Sequence, residues 1–109
     1  MICNNILEAI GNTPLIRLSR MTDSDSAEVL VKYEGINIGG SIKTRTALNM
    51  IEEAEKAGKI SPDRTTIVEP TSENQGVGLA LVGAVKGYKT IIIMPDTGER
   101  YFSTLLFTE

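Results

Sequence analysis

Lys43 stands in Asn37-Ile38-Gly39-Gly40-Ser41-Ile42-Lys43-Thr44-Arg45, which reads as a strand-to-helix turn with an amine just inside the helix. Two glycines let the backbone turn tightly and let a ligand come close. Ser41 is a suitable N-cap for the helix that follows. A cation in the first turn of a helix opposes the helix dipole, at a cost of a few tenths to about 1 kcal/mol. An amine in such an electropositive setting tends to a lowered pKa and can serve as a nucleophile. The plainer alternative is a solvated lysine on a helix surface.

A second loop, Thr71-Ser72-Glu73-Asn74-Gln75-Gly76, offers hydroxyls and amides at another helix start. With the backbone N–H groups of that helix, Thr71, Ser72 and Asn74 make a good carboxylate site. Capping of the helix by Ser72 alone is the alternative. A carboxylate site facing an activated lysine suits an amino-acid substrate held on pyridoxal phosphate.

Other chemistries are poorly served. Histidine is absent, which removes Ser-His-Asp and Cys-His triads and histidine metal sites. The single cysteine, Cys3, cannot form an internal disulfide or a structural zinc site. Gly35 and Gly40 have the spacing of the two Walker glycines, but Ser41 stands where the phosphate-binding lysine belongs. Gly76-Val77-Gly78 is followed by Leu81, so the Rossmann fingerprint also fails.

These loops need elements to hold them. Asn4 to Ile10 reads as a short helix ending at Gly11, and Asn12-Thr13-Pro14 as a turn. Leu15–Leu18 reads as a short strand. Glu28–Glu34 reads as a half-buried strand from the alternation of Val29, Val31 and Tyr33 with Lys32 and Glu34. Ser41 to Ala57 is the clearest helix, with Ala47, Leu48, Met50, Ile51 and Ala54 on one face and Gly58 as its stop. Thr65 to Glu69 is a β-branched strand. Gln75 to Lys86 is a helix apolar nearly all round, hence expected to be buried on several sides, and Gly87 stops it. Thr90-Ile91-Ile92-Ile93-Met94 does not alternate, which predicts burial on both faces of a parallel sheet.

The order strand, helix, strand, helix, strand predicts an α/β fold: a three-layer βαβαβ parallel sheet with right-handed crossovers. Ligands in such sheets bind at the carboxyl ends of the strands, where both loops would lie. The division is 1–34 as an N-terminal segment with two short strands, 35–96 as the βαβαβ lysine domain, and 97–109 as a tail. The partners of the first two strands stay open among a hairpin, addition to the sheet, and exchange between chains.

The 109 residues suit one small domain. A net charge of −3 argues against a nucleic-acid surface. The longest apolar run, 77–85, is too short to span a bilayer. The start of the chain lacks a basic region, and the cytoplasm is the expected compartment.

Asn12-Thr13-Pro14-Leu15, the stretch from Asn37 to Arg45, Ala47-Leu48-Asn49-Met50-Ile51 and Glu69-Pro70-Thr71-Ser72 together resemble cysteine synthase (O-acetylserine sulfhydrylase). That group belongs to the fold-type II, tryptophan-synthase-β-like pyridoxal-phosphate enzymes, whose small N-terminal domain the βαβαβ unit resembles. The likeness covers nearly all of residues 4–96. The wording of the lysine helix fits cysteine synthase or cystathionine β-synthase better than threonine dehydratase.

The resemblance implies roles. Lys43 matches the lysine that holds pyridoxal phosphate as a Schiff base. Asn74 matches the asparagine that hydrogen-bonds the cofactor's 3′ oxygen. Thr71, Ser72, Asn74 and Gln75 fall in the loop that grips the substrate carboxylate. The implied chemistry is loss of acetate from O-acetylserine followed by sulfide addition to give cysteine. Homodimerisation and capture of the serine acetyltransferase tail are implied partners.

Three departures stand out. Ile38 replaces a frequent proline. Glu73 replaces the glycine usual in the substrate loop. A carboxylate about 4 Å from a bound carboxylate costs roughly 1–4 kcal/mol at effective dielectrics of 80 to 20, and the position is expected to favour a backbone angle natural to glycine.

Third, Met94-Pro95-Asp96 passes straight into Thr97-Gly98-Glu99-Arg100-Tyr101-Phe102-Ser103-Thr104, which resembles the C-terminal segment of the much longer family chain. The middle is expected to be missing, and with it the glycine-threonine loop around the cofactor phosphate and the serine facing the pyridine nitrogen. Charge-assisted hydrogen bonds contribute roughly 1.5–3 kcal/mol each, so losing three or four weakens cofactor binding by several powers of ten. The expectation is weak or no cysteine synthase activity for this chain alone, with a non-catalytic binding or assembly module as the alternative.

Overall fold

The structure, a computed structural model, describes residues 1–70 and 73–94. The tail from residue 95, and with it the junction expected there, lies outside the described residues.

The described residues form two α-helices and two small sheets. Strands β1 (Leu15–Arg17) and β2 (Leu30–Lys32) pair antiparallel, with Ile16 opposite Val31. Helix α1 (Lys43–Lys56) leads to β3 (Thr66–Pro70), helix α2 (Asn74–Lys86) and β4 (Lys89–Ile93). β3 and β4 pair in parallel, with Val68 opposite Ile91. The α/β class and the parallel β-α-β crossover therefore stand.

The layering differs from the expected continuous sheet. β2 pairs with β1 rather than joining β3, so the leading strand of the βαβαβ order sits in its own hairpin. The open choice among strand partners is settled as the hairpin. Nor is β2 half-buried: Val29, Val31 and Tyr33 are all exposed. An isolated two-stranded ribbon gains little burial. The first expected helix is a 3₁₀ turn, Ile6–Ala9, capped by the Asn5 side chain, which accepts from Leu7 N–H at 2.9 Å.

The core lies between the helices. Ala47 and Ile51 of α1 meet Leu79 and Val82 of α2, with Tyr88 closing one end. Leu48, Ile60, Ile67 and Leu81 pack around them. Helix α2 approaches β4 so closely that a Cβ at Gly83 would collide with Thr90 Oγ1. At the far end, Glu55 accepts from Lys86 Nζ and from Tyr88 Oη, each at 2.8 Å. Burial foremost, and then this carboxylate, push the Tyr88 phenol up to about 12.

Both helices stop where glycine permits a left-handed residue. Gly58 (φ +69°) follows α1, with Gly58 N–H donating to Glu55 O and Lys59 N–H to Ala54 O, each at 3.0 Å. That pair of bonds is a Schellman closure. Gly87 (φ +84°) ends α2 in the same region.

Burial of α2 and β4 is one-sided, not all round. Gly76, Gly78, Leu79, Val82 and Gly83 face inward, while Val77 and Val85 are 46% and 42% exposed. Along β4, Thr90 and Ile92 are half-buried beside α2, whereas Ile91 and Ile93 are exposed. The uniform apolar run was expected to be covered on both faces; α2 covers one.

Candidate functional site

Helix α1 begins as the lysine turn requires. Gly39 and Gly40 take φ of +84° and +81°, which L side chains rarely adopt. A Cβ on Gly39 would collide with Thr44 Oγ1, so the turn folds tightly onto the helix it starts. Ile42 already has helical dihedrals (φ −62°, ψ −20°), and Ser41 Oγ accepts from Lys43 N–H at 3.1 Å. Ser41 thus caps the helix one residue ahead of its assigned first turn.

Lys43 is the first residue of α1 and is exposed. Among the described residues its amine has no hydrogen-bond or ion-pair partner. Its carbonyl lies against α2: a Cβ built on Gly78 would stand 2.9 Å from Lys43 O. Gly78 stands one turn along α2 from Asn74, where that helix begins.

The second loop is described in part. Thr71 and Ser72 lie outside the described residues. Asn74 is exposed at the first position of α2. Gln75 turns toward α1, its Nε2 lying 3.6 Å from Met50 Sδ, so its amide is directed to a thioether. Glu73 has φ 173° and ψ −78°, and its φ lies outside the left-handed range that favours glycine.

Glu73, Gly76, Val77, Ala80, Ile92 and Met94 line a cleft of about 260 Å³. It sits where β4 ends and α2 begins, at the carboxyl edge of the parallel pair, as ligand sites in such sheets do. Its walls are almost wholly apolar. Lys43 does not line it.

Behind the lysine turn is a polar cluster that sequence reasoning passed over. Arg45 Nε and Nη2 donate to Glu34 Oε2 and Oε1 at 2.9 and 2.8 Å, a two-pronged ion pair. Thr13 Oγ1 donates to the same carboxylate at 2.7 Å. The Arg45 hydrogen bonds foremost, then that of Thr13, hold the Glu34 carboxyl well below its usual range, at about 2. Asn37 Nδ2 donates to Glu34 Oε2 and to Ser41 O, each at 3.2 Å. Thr13, Asn37 and Arg45 fall inside the motif stretches, yet nothing local tells that they meet.

The residues fit a carbonyl-bearing cofactor at the turn. Lys43 offers an accessible primary amine, and nothing lies within 4 Å of where a Cβ on Gly40 would stand, which leaves room for approach. The Thr44 hydroxyl beside it is buried with no hydrogen-bond partner among the described residues. Among the described residues no cluster of three or more His, Cys, Asp or Glu could hold a metal, and no described helix is long and apolar enough to cross a membrane.

Residues 6–106 match the model of the pyridoxal-phosphate-dependent enzyme family. The chain belongs to this family. It is 54% identical over 103 residues to a cysteine synthase of Staphylococcus aureus, covering 94% of this chain and 33% of that protein. It is 50% identical over 95 residues to a cystathionine beta-synthase of Saccharomyces cerevisiae, covering 85% and 19%. Among solved structures it resembles a hydrogen sulfide-producing enzyme of Fusobacterium nucleatum, with a TM-score of 0.79 and 50% identity over 89% of this chain and 32% of that one. The chain spans a third or less of each of these relatives. Their fold is that of the fold-type II pyridoxal-phosphate enzymes, of which these residues form a part.

Proposed function

We propose that this chain is the lysine-bearing part of a pyridoxal-phosphate-dependent β-replacement site of the cysteine synthase kind. The observation that supports it most is the accessible Lys43 amine at a glycine turn, on a residue whose carbonyl lies against Gly78 in the second turn of α2, in a chain 54% identical to a cysteine synthase. Bound pyridoxal phosphate supplies the electron sink that lets an amino acid lose its α-proton and β-substituent. Lys43 would anchor the cofactor and, once released, take and return a proton at Nζ. Asn74 would hydrogen-bond the ring oxygen. Thr71, Ser72 and the first N–H groups of α2 would hold the substrate carboxylate, against Glu73, whose charge opposes that anion. Gln75 stands at the same helix start. O-acetylserine and sulfide are the substrates this reading favours, with weak or no turnover from this chain by itself.

Incubation with pyridoxal phosphate, borohydride reduction and peptide mapping test it. The pyridoxyl phosphate mass is expected on Lys43 above every other lysine, and absent from that peptide in Lys43→Ala. Label spread evenly over Lys32, Lys56, Lys59 and Lys86 would overturn the reading.

A second reading, an assembly module, draws on the sheet face that carries Val68, Ile91 and Ile93 at 53%, 43% and 48% exposure. On this reading sedimentation shows a concentration-dependent mass and no cofactor is retained; a monomer at every concentration counts against it.

A further inference from the structure

We propose that Arg45 is a positioning residue for Lys43: its guanidinium ties two distant segments, residues 11–13 and Glu34, to the start of α1 in a clamp that fixes the turn from which the lysine emerges. The proposal rests on the role given to Lys43 above.

The clamp is built from named bonds. Arg45 Nη2 donates to Gly11 O at 2.8 Å and to Thr13 Oγ1 at 3.1 Å, besides the paired bonds to Glu34. Asn37, held by Glu34, spans the turn: its Oδ1 accepts from Gly11 N–H at 2.9 Å and Ile38 N–H at 3.0 Å, and its Nδ2 reaches Ser41 O. Gly40 N–H donates to Asn37 O at 2.8 Å and closes the loop. Lys32 Nζ pins the Thr13 carbonyl at 2.6 Å. Residues 37–41 are thus fastened at both ends, and Lys43 starts its helix two residues later. Gly11 takes φ +92°, and a Cβ there would stand 2.7 Å from Arg45 Nη1, so the guanidinium occupies space that only glycine leaves.

The burial pattern separates positioning from general support. Thr13 and Asn37 are buried, and the Glu34 side chain is 15% exposed. Helix α1 itself is held against α2 by Ala47 and Ile51, which take no part in the clamp's hydrogen bonds. Removing the guanidinium therefore leaves the helix pair packed and loosens the turn. A lysine at 45 keeps the charge but not the planar fork that serves three acceptor groups at once.

The test uses the full 109-residue chain as wild type, Arg45→Lys and Arg45→Gln. Far-UV circular dichroism checks the helices. Amide hydrogen exchange reads the turn, and the pyridoxal phosphate, borohydride and mapping experiment reads Lys43. With the helical signal retained, exchange at residues 38–43 is expected to rise roughly tenfold, and the share of label on Lys43 to fall to that of Lys56 or Lys59, with neither restored by Arg45→Lys. Unchanged exchange at residues 38–43 overturns the clamp. Loosened exchange with an unchanged Lys43 share overturns the positioning role. Should wild type label its lysines evenly, the cofactor reading fails, and exchange alone still decides the clamp. If both variants unfold, Glu34→Gln, which keeps the shape and removes the paired charge, is put through the same two readouts with the same deciding outcomes.

Discussion

Replacing Gly78 by alanine sets two effects of similar size against each other. Gly78 lies in the fifth position of α2, where alanine is the better helix former by about 0.8–1.0 kcal/mol. On propensity alone the variant would be more stable. The new methyl would stand 2.9 Å from Lys43 O and 3.1 Å from Ala47 Cβ. Neither neighbour has a rotamer with which to move aside: one is helix backbone and the other a methyl on it. Overpacking of this kind costs roughly 1–3 kcal/mol. The difference is a net destabilisation of about 1 kcal/mol, with α1 pushed outward at the residue that carries the amine. For a domain of this size each kcal/mol lowers Tm by roughly 4–8 °C. Thermal unfolding followed by circular dichroism measures it, with Ala84→Gly as calibrator. Ala84 is exposed on the same helix, so its replacement reports propensity with no packing. A Tm for Gly78→Ala that rises by as much as Ala84→Gly falls would refute the close approach of the helices, and with it the contact of the Lys43 carbonyl with Gly78.

Two further outcomes are expected. Val82 is fully buried between the helices; truncation to alanine removes two methyl groups at about 0.8 kcal/mol each plus a cavity, so urea unfolding should show a loss near 2 kcal/mol with an unchanged slope. A loss under about 0.5 kcal/mol would mean that the α1–α2 contact is not the core. The Glu34 carboxyl is held at about 2, against the usual 4.5, by Arg45 and then Thr13. A lowered carboxyl stabilises the fold above its unfolded pKa and loses that contribution as pH falls toward its folded one. Wild type should therefore surpass Glu34→Gln in urea midpoint at pH 7, with the gap closing between about pH 4.5 and 2. A gap that is constant over that range would exclude the ion pair as its source.

The parts of the fold that could be read from the chain are those decided within a few residues. Gly58 and Gly87 stop their helices because each takes a left-handed backbone angle that its neighbours avoid. Ser41 caps α1 because its hydroxyl reaches an N–H two residues away. The strand stretches and the parallel pairing of β3 with β4 across α2 were legible, but not the partner of β2, which pairs with β1 because a pairing depends on where distant segments are carried. Ile91-Ile92-Ile93 looked doubly buried, since apolarity tells that a face favours cover without telling whether this chain supplies it. The clamp was illegible for the same reason. Gly11 and Arg45 are 34 residues apart, and polar residues read singly look like solvated surface.

From the order of its amino acids alone follow the two helices, their stops, the amine at a glycine turn and the kinship with pyridoxal-phosphate enzymes. Those features depend on backbone angles, side-chain periodicity and motif spacing, all local in range. Tertiary structure alone decided that Lys43 abuts Gly78, that one sheet face stays open, and that Arg45, Glu34, Asn37 and Thr13 converge behind the turn. Such contacts close long loops, and only the packing of α1 on α2 selects which of them form.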